Sequence, residues 1–182
     1  MSTVTDYPAT TDGPVELHRN RFLSVKYDGR HHFVEYNRHR SGVVIVPRFS
    51  NGDYMMVRLV RAPVFGLSLE FPRGGVEPNE EAVAAALREF LEETGYLVDR
   101  SEIRHLGQIG GDTATINSVC DVFAATISGD VPAAPFDERE ISAPVRITPA
   151  ALTEVIRRGE IKDGFTLGAM TLALVNAVER HL

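Results

Sequence analysis

The stretch Gly74 to Tyr96, GGVEPNEEAVAAALREFLEETGY, constrains this chain more than any other. Pro78 and Asn79 signal the start of a helix, with Asn79 or a neighbour as the expected cap. Glu80 and Glu81 suit the positive end of a helix dipole. Ala82 to Leu87 is a run of strong helix formers, and Gly95 suits the left-handed position just past the last turn. Val83, Ala86, Leu87, Phe90 and Leu91 recur at helical spacing and make one apolar stripe. On the same wheel Glu89, Glu92 and Glu93 fall within an arc of about 100°, flanked by Arg88. Carboxylates this close repel one another and weaken a helix. A hard divalent ion such as Mg²⁺ resolves the conflict, because it takes oxygen ligands and tolerates bound phosphate.

A Glu-rich solvated face is the plainer use of such a pattern, and the spacing back to the glycine argues against it. Five residues separate Gly74 from Glu80, and seven separate Glu80 from Arg88-Glu89. Phe90, Glu92-Glu93, Gly95 and Tyr96 complete the series. This resembles the Nudix box, G-x5-E-x7-REU-x-EE-x-G-U, with every fixed residue present. The two bulky aliphatic positions hold aromatic Phe90 and Tyr96, a departure that bears on packing more than on metal binding. The resemblance implies an α/β fold, the Nudix α/β/α sandwich with a mixed β-sheet and extra N-terminal strands. It also implies that Glu89, Glu92 and Glu93, with a backbone carbonyl at Gly74, hold Mg²⁺ or Mn²⁺. Arg88 is expected to pair with Glu80 and to orient those ligands.

Composition narrows the class. The chain has 182 residues, 43% of them hydrophobic, which is ample for one core. A formal charge of −6 argues against non-specific nucleic-acid binding. Cys120 is the only cysteine, so no internal disulfide and no Cys-based zinc site is expected. No apolar run approaches the ~20 residues of a membrane span. The opening MSTVTDYPATTDGP is polar and lacks a basic-then-apolar leader pattern, so a cytoplasmic location is expected. Residues 1–14 read as a flexible tail, 15–39 as N-terminal strands and 40–182 as the main domain.

Along the chain, Val15 to Tyr27 and His32 to Asn37 read as strands around an Asp28-Gly29-Arg30 turn, with His31 and His32 as exposed strand-end residues. Ser41 to Phe49 and Tyr54 to Arg61 form a hairpin, and Leu67 to Phe71 leads into the box. Glu102 to Gly107, Ser118 to Ser128 and Ile141 to Ile147 are further strands. Helices are expected over Pro149 to Arg158, with Leu152, Val155 and Ile156 facing in, and over Phe165 to Leu182, with Leu167, Met170, Leu174 and Val178 on its apolar face. Cys120 reads as a core residue, since no base lies near it in sequence.

From about Arg40 to the C-terminus the chain resembles the ADP-ribose pyrophosphatase and nucleoside-diphosphate-sugar hydrolase group of Nudix enzymes. In VRLVRAPVFG, Arg61 lies where such enzymes carry a substrate-facing QYR arginine, with Leu59 and Val60 in place of Gln and Tyr. Arg58 and Arg61 are the candidates to grip a diphosphate. Glu70 in SLEFPRGG resembles the Glu of the group's ELPAG segment, with Arg73 where a small residue is usual. A charged residue in an apolar strand needs a partner or a ligand. The polar loop Gly110 to Asn117 lacks the Pro-Gly pair common there. PAAPFDERE offers Glu138 and Glu140, either one matching a water-activating glutamate. The group implies a small-molecule nucleotide-sugar substrate, ADP-ribose first, and a homodimer built through the N-terminal strands. Alternatives are GDP-mannose, NADH or dinucleoside polyphosphates as substrates, a non-catalytic nucleotide-sugar-binding protein, and an isopentenyl-diphosphate isomerase. The last wants a catalytic cysteine, which Cys120 in mid-strand fits poorly.

Overall fold

Short polar side chains punctuate the first strands. A computed structural model describes residues 13–39, 41–61, 66–138 and 143–178, and of Val178 only the backbone. The first three strands are β1 (Val15–Arg19), β2 (Leu23–Tyr27) and β3 (His32–Tyr36). Val15 to Tyr27 is therefore two strands rather than one. The reason is Asn20, whose Oδ1 accepts from the backbone N–H of Phe22 at 2.8 Å and of Leu23 at 2.9 Å. Asp28 turns the chain again, accepting from the N–H of Arg30 and His31 at 2.9 and 2.7 Å. These strands form an antiparallel sheet in the order β1-β2-β3. His31 and His32 are both exposed beside the second turn.

The remaining strands are β4 (Ser41–Phe49), β5 (Tyr54–Arg61), β6 (Gly66–Glu70), β7 (Arg73–Gly75), β8 (Ile103–Ile109), β9 (Val119–Ile127) and β10 (Ala143–Ile147). They form a second sheet in the order β10-β5-β4-β9-β8, with β6 on β5 and β7 on β4. The sheet is mixed, since β4 and β9 run parallel while β8 pairs with β9 antiparallel. The helices are α1 (Ala82–Thr94), α2 (Pro149–Arg157) and α3 (Gly164–Val178). Residues 179–182, read from sequence as the end of the last helix, lie outside the described residues, as does the side chain of Val178.

The central strand explains the layers. β4 is apolar at almost every position because both of its faces are covered. Val43, Ile45 and Phe49 pack with Ala85, Ala86 and Phe90 of α1. Val44 and Val46 pack on the other side with Leu152 of α2 and Ala169 of α3. Helix, sheet and helices thus form the α/β/α sandwich. The first sheet meets the loop between β8 and β9, where Val34 donates to the Thr115 carbonyl at 2.7 Å and accepts from the Asn117 N–H at 2.9 Å.

The start of α1 departs from the sequence reading. Asn79 is not its cap but a turn residue at φ 67°. Glu81 occupies the N-cap position without a side-chain bond, so Glu80 and Glu81 precede the first turn instead of lying in it. Glu80 is held elsewhere: its carboxylate accepts from the Glu77 N–H at 2.9 Å and from Arg88.

Candidate active site

The site is built around the short strand β7. Gly74 is glycine because the Glu89 carboxylate occupies the space beside it; a Cβ there would lie 1.9 Å from the Glu89 carboxyl carbon. The preceding backbone N–H, of Arg73, donates to Glu93 Oε2 at 3.0 Å. Two box carboxylates therefore lie on three residues of strand. The helix delivers them because they project from the last turns of α1, where Phe90 anchors the opposite face in the core. The α1 C-terminus closes at Gly95, which takes φ 76° and donates to the Leu91 carbonyl at 2.8 Å.

Arg88 ties the acids together. Its guanidinium donates to both Glu80 oxygens at 2.9 Å, to Glu89 at 2.8 Å, to Glu92 at 3.3 Å and to the Gly75 carbonyl at 3.0 Å. The Arg88 bonds hold the Glu80 carboxyl below its usual range, and Glu80 in turn raises the Arg88 pKa. Among the described residues no group of three or more His, Cys, Asp or Glu side chains stands placed to hold a metal ion, so the box acids would have to shift to do so. The candidate donors are carboxylate oxygens of Glu89, Glu92 and Glu93, each already engaged by a protein group, and backbone carbonyls at β7. That all-oxygen set, with Glu89 seated in a cradle only glycine leaves open, suits a hard divalent ion.

On the cleft side, Arg73, Gly74 and Gly75 line a cavity of about 490 Å³ together with Phe22, Tyr36 and Arg61. A second cavity of about 500 Å³ adjoins it and is lined by Ser68, Asp112 and Lys162; Arg61, Arg73 and Phe165 border both. Glu70 is buried, at 1% exposure, so it needs partners. Arg61 supplies them from Nε at 3.0 Å and Nη2 at 2.6 Å, and Arg73 Nη2 adds a contact at 3.1 Å. Burial pushes the Glu70 carboxyl up, but the Arg61 hydrogen bonds and both positive charges outweigh it and hold the pKa below its usual range. Arg73 Nη2 also reaches Asp163 at 3.3 Å, and the Arg73 guanidinium lies 4.8 Å over the Phe165 ring. Asp163 accepts from the N–H and hydroxyl of Thr166, both at 2.8 Å, which fixes the start of α3.

The other sequence candidates distribute unevenly. Arg58 is exposed on the opposite face of β5 from Arg61 and lines neither cavity, because a spacing of three along a strand reverses the side-chain direction. Glu138 is exposed in a loop that reaches the end of α1, where Asp137 N–H donates to the Glu92 carbonyl at 2.7 Å. Glu140 lies outside the described residues. Cys120 is half-buried in the cleft wall, and burial pushes its thiol up to about 11. Sequence reasoning treated Arg73 only as a departure and passed over Asp163 and His39. The signal for Arg73 was its charge beside a Gly pair; Asp163 and His39 carry none, since each reaches the site only through the fold. His39 stacks where a Gly75 side chain would be, 2.4 Å from its ring.

Residues 38–165 match the family model for the NUDIX domain. Over 76 residues the chain is 38% identical to the ADP-sugar pyrophosphatase of Mus musculus, which covers 42% of this chain and 34% of that protein. Over 145 residues it is 26% identical to the methanol dehydrogenase activator of Bacillus methanolicus, covering 79% and 77%. Over 58 residues it is 34% identical to the ADP-ribose pyrophosphatase of Saccharomyces cerevisiae, covering 30% and 25%. The chain thus spans about a third of the mouse protein and a quarter of the yeast one. A solved structure described as an ADP compounds hydrolase superposes with a TM-score of 0.69 at 18% identity, covering 95% of this chain and 98% of that one, a likeness of fold. With the family model spanning most of the chain and the acids gathered on β7, this protein belongs to the NUDIX family.

Proposed function

We propose that the protein is a metal-dependent pyrophosphohydrolase that cleaves the diphosphate linkage of a nucleoside-diphosphate sugar, with ADP-ribose as the first candidate, giving AMP and ribose 5-phosphate. One observation carries the reading. β7 holds box carboxylates against its backbone while Arg73, Gly74 and Gly75 line a cleft that also contains Arg61. Acids that suit a cation and guanidiniums that suit phosphate thus share one short strand. The pyrophosphatase names of the mouse and yeast relatives support the substrate class.

In this reading Glu89, Glu92 and Glu93 hold Mg²⁺, or Mn²⁺ in its place. The ion supplies positive charge against the diphosphate oxygens and makes nearby water more acidic. Arg61 and Arg73 orient the diphosphate. Arg88 holds Glu89 and Glu92 in place and balances their charge. A water oxygen bonds to one phosphorus, the bridging P–O bond breaks, and a carboxylate takes the proton. Glu138 is the described candidate for that base, from a loop tied to the end of α1. We further propose that residues 15–39 serve as a dimerisation element beside a catalytic domain over 40–182, and that the protein works in the cytoplasm. No helix among the described residues is long and apolar enough to cross a membrane. Light scattering should give about twice the 20.0 kDa chain mass, and a 20 kDa species at working concentration would sink the dimer.

A substrate panel at fixed Mg²⁺, read by coupled phosphate release, tests the activity. It should contain ADP-ribose, GDP-mannose, NADH, dinucleoside polyphosphates and nucleoside triphosphates. Preference for ADP-ribose with AMP as product is expected; no turnover with either ion would remove the hydrolase reading. The long match to the Bacillus activator favours one second reading, a protein that acts on another enzyme. Nucleotide-sugar binding without turnover would support it.

A further inference from the structure

We propose that His39 is a positioning residue for the metal centre: it clamps β7 and the turn after it from the side opposite Glu89, and so fixes the backbone on which the box carboxylates rest. This deepens the reading above and rests on its metal-dependent part.

β7 contains two adjacent glycines, and each leaves room for a different side chain. A Cβ at Gly74 would lie 1.9 Å from the Glu89 carboxyl carbon, and a Cβ at Gly75 would lie 2.4 Å from Cγ of His39. Successive positions on a strand face opposite ways. The strand is therefore gripped between the Glu89 carboxylate on one face and the His39 ring on the other. Glycine has more backbone freedom than any other residue, so a glycine pair takes its rigidity from what touches it. The pairing of β7 with β4 ends at Gly75 opposite Gly42, followed by one bond from the Val76 N–H to the Ser41 carbonyl at 3.2 Å.

The turn that follows carries Glu80 to Arg88, and three further contacts hold its backbone. Arg88 donates to the Gly75 carbonyl at 3.0 Å, and Glu80 accepts from the Glu77 N–H at 2.9 Å. Nδ1 of His39 meets the Val76 carbonyl at 3.2 Å. A carbonyl only accepts, so Nδ1 carries the hydrogen and donates. Arg88 and Glu80 belong to the acid cluster themselves, whereas His39 enters from the segment before β4 and ties the turn to the sheet. Its neighbour Arg38 reaches Glu77 at 3.3 Å, but with side chains 68% and 43% exposed that pair contributes little. His39 is half-buried and lines the cleft with Gly74 and Gly75. Without it the Gly75–Val76 backbone loosens and Arg88 loses a fixed carbonyl. Glu89 and Glu92, which Arg88 orients, then lose their placement.

The test is Mn²⁺ binding to the full chain without substrate, read from the electron paramagnetic resonance signal of the free ion. Three variants separate the bond from the bulk. His39→Asn keeps an amide N–H at the position of Nδ1, His39→Gln carries its amide one bond further out, and His39→Leu has no donor. Leu and Gln should weaken Mn²⁺ by about tenfold, while Asn stays within about threefold of the wild type. With the best panel substrate kcat should fall in the same order, and KM should change by less than about threefold. A histidine that only supports the fold would lower the melting temperature in Leu and Gln and leave the Mn²⁺ Kd of the folded protein unchanged. That result, an Asn variant as weak as Leu, or no Mn²⁺ binding by the wild type at millimolar concentration would overturn the proposal. The outcomes also separate it from the underlying reading. Weakened Mn²⁺ in Leu and Gln with no hydrolysis of the panel by the wild type would keep the clamp and remove the activity. Hydrolysis with one Mn²⁺ Kd across all variants would do the reverse.

Discussion

Two arginine–carboxylate clusters flank β7, and they are built on opposite principles. Around Arg88, one guanidinium serves Glu80, Glu89 and Glu92, with Glu93 beside them on the Arg73 N–H. Around Glu70, two guanidiniums from Arg61 and Arg73 meet two carboxylates, Glu70 and Asp163. The first cluster is rich in negative charge among the described residues and, in the proposed reading, takes a cation. The second is balanced and completes itself. The difference teaches which acids are available for chemistry. Surplus acids at the end of a helix can exchange partners for a metal, whereas Glu70 is already committed to holding arginines in the cleft wall.

Substitution at the surplus cluster should give the largest effect. Glu93→Gln keeps an oxygen that can accept from the Arg73 N–H, so the fold should persist. Removal of the charge should lower kcat/KM for the best panel substrate by at least about a hundredfold, and should abolish thermal stabilisation by added Mg²⁺. Near-normal turnover would erase the contrast between the clusters. Arg88→Lys is the next step down. Lysine cannot reproduce a fork that engages Glu80 with two nitrogens, so a loss of about tenfold to a hundredfold in turnover is expected.

The contrast also explains what could be read from the chain alone. The surplus cluster lies on one helix and its preceding turn, so residue spacing alone reveals it. The strands follow similarly from apolar runs and turn residues, whereas the mixed sandwich follows from the resemblance that the box carries. The balanced cluster draws on β5, β6, β7 and the start of α3. Glu70 announces a need for partners, but no local pattern names Arg73 or Asp163 as meeting it. Arg58 illustrates the opposite error: a plausible arginine whose strand parity turns it away from the cleft. Asn79 looked like a cap because of its residue type, while the chain used it for a left-handed turn so that Glu80 could reach Arg88.

The balanced cluster should register in stability more than in metal binding. Glu70→Ala leaves Arg61 unpaired at 38% exposure, where solvent compensates in part, and leaves Arg73 with Asp163. A loss of about 2 kcal/mol in urea unfolding is expected. The pH dependence has a definite sign. Because the folded-state pKa of Glu70 is lowered, its contribution is present above the unfolded value of about 4.3 and is lost as pH falls through that range to the folded value. Wild-type stability should therefore drop on acidification below about pH 4.3, and the drop should be smaller in Glu70→Ala. Equal slopes would show that the buried carboxylate is not held ionised by its arginines.

The smallest effect concerns Cys120, which shares the cleft with Arg73. Burial pushes its thiol up to about 11, while the Arg73 charge pulls in the other direction. At pH 8 only about one thiol in a thousand is then ionised, so alkylation by iodoacetamide should run roughly a hundredfold slower than for a free cysteine. The rate should climb as pH approaches 11. Arg73→Ala removes a positive charge that favours the thiolate and should slow alkylation further at fixed pH, whereas Arg73→Lys should not. Cys120→Ala should leave turnover within a few-fold of wild type, since a protonated thiol packed on Gly42 supplies neither base nor nucleophile. Fast alkylation at neutral pH with loss of turnover in Cys120→Ala would instead mark an activated thiol. That outcome would move the chemistry away from the helix carboxylates and toward the cysteine-dependent isomerase alternative.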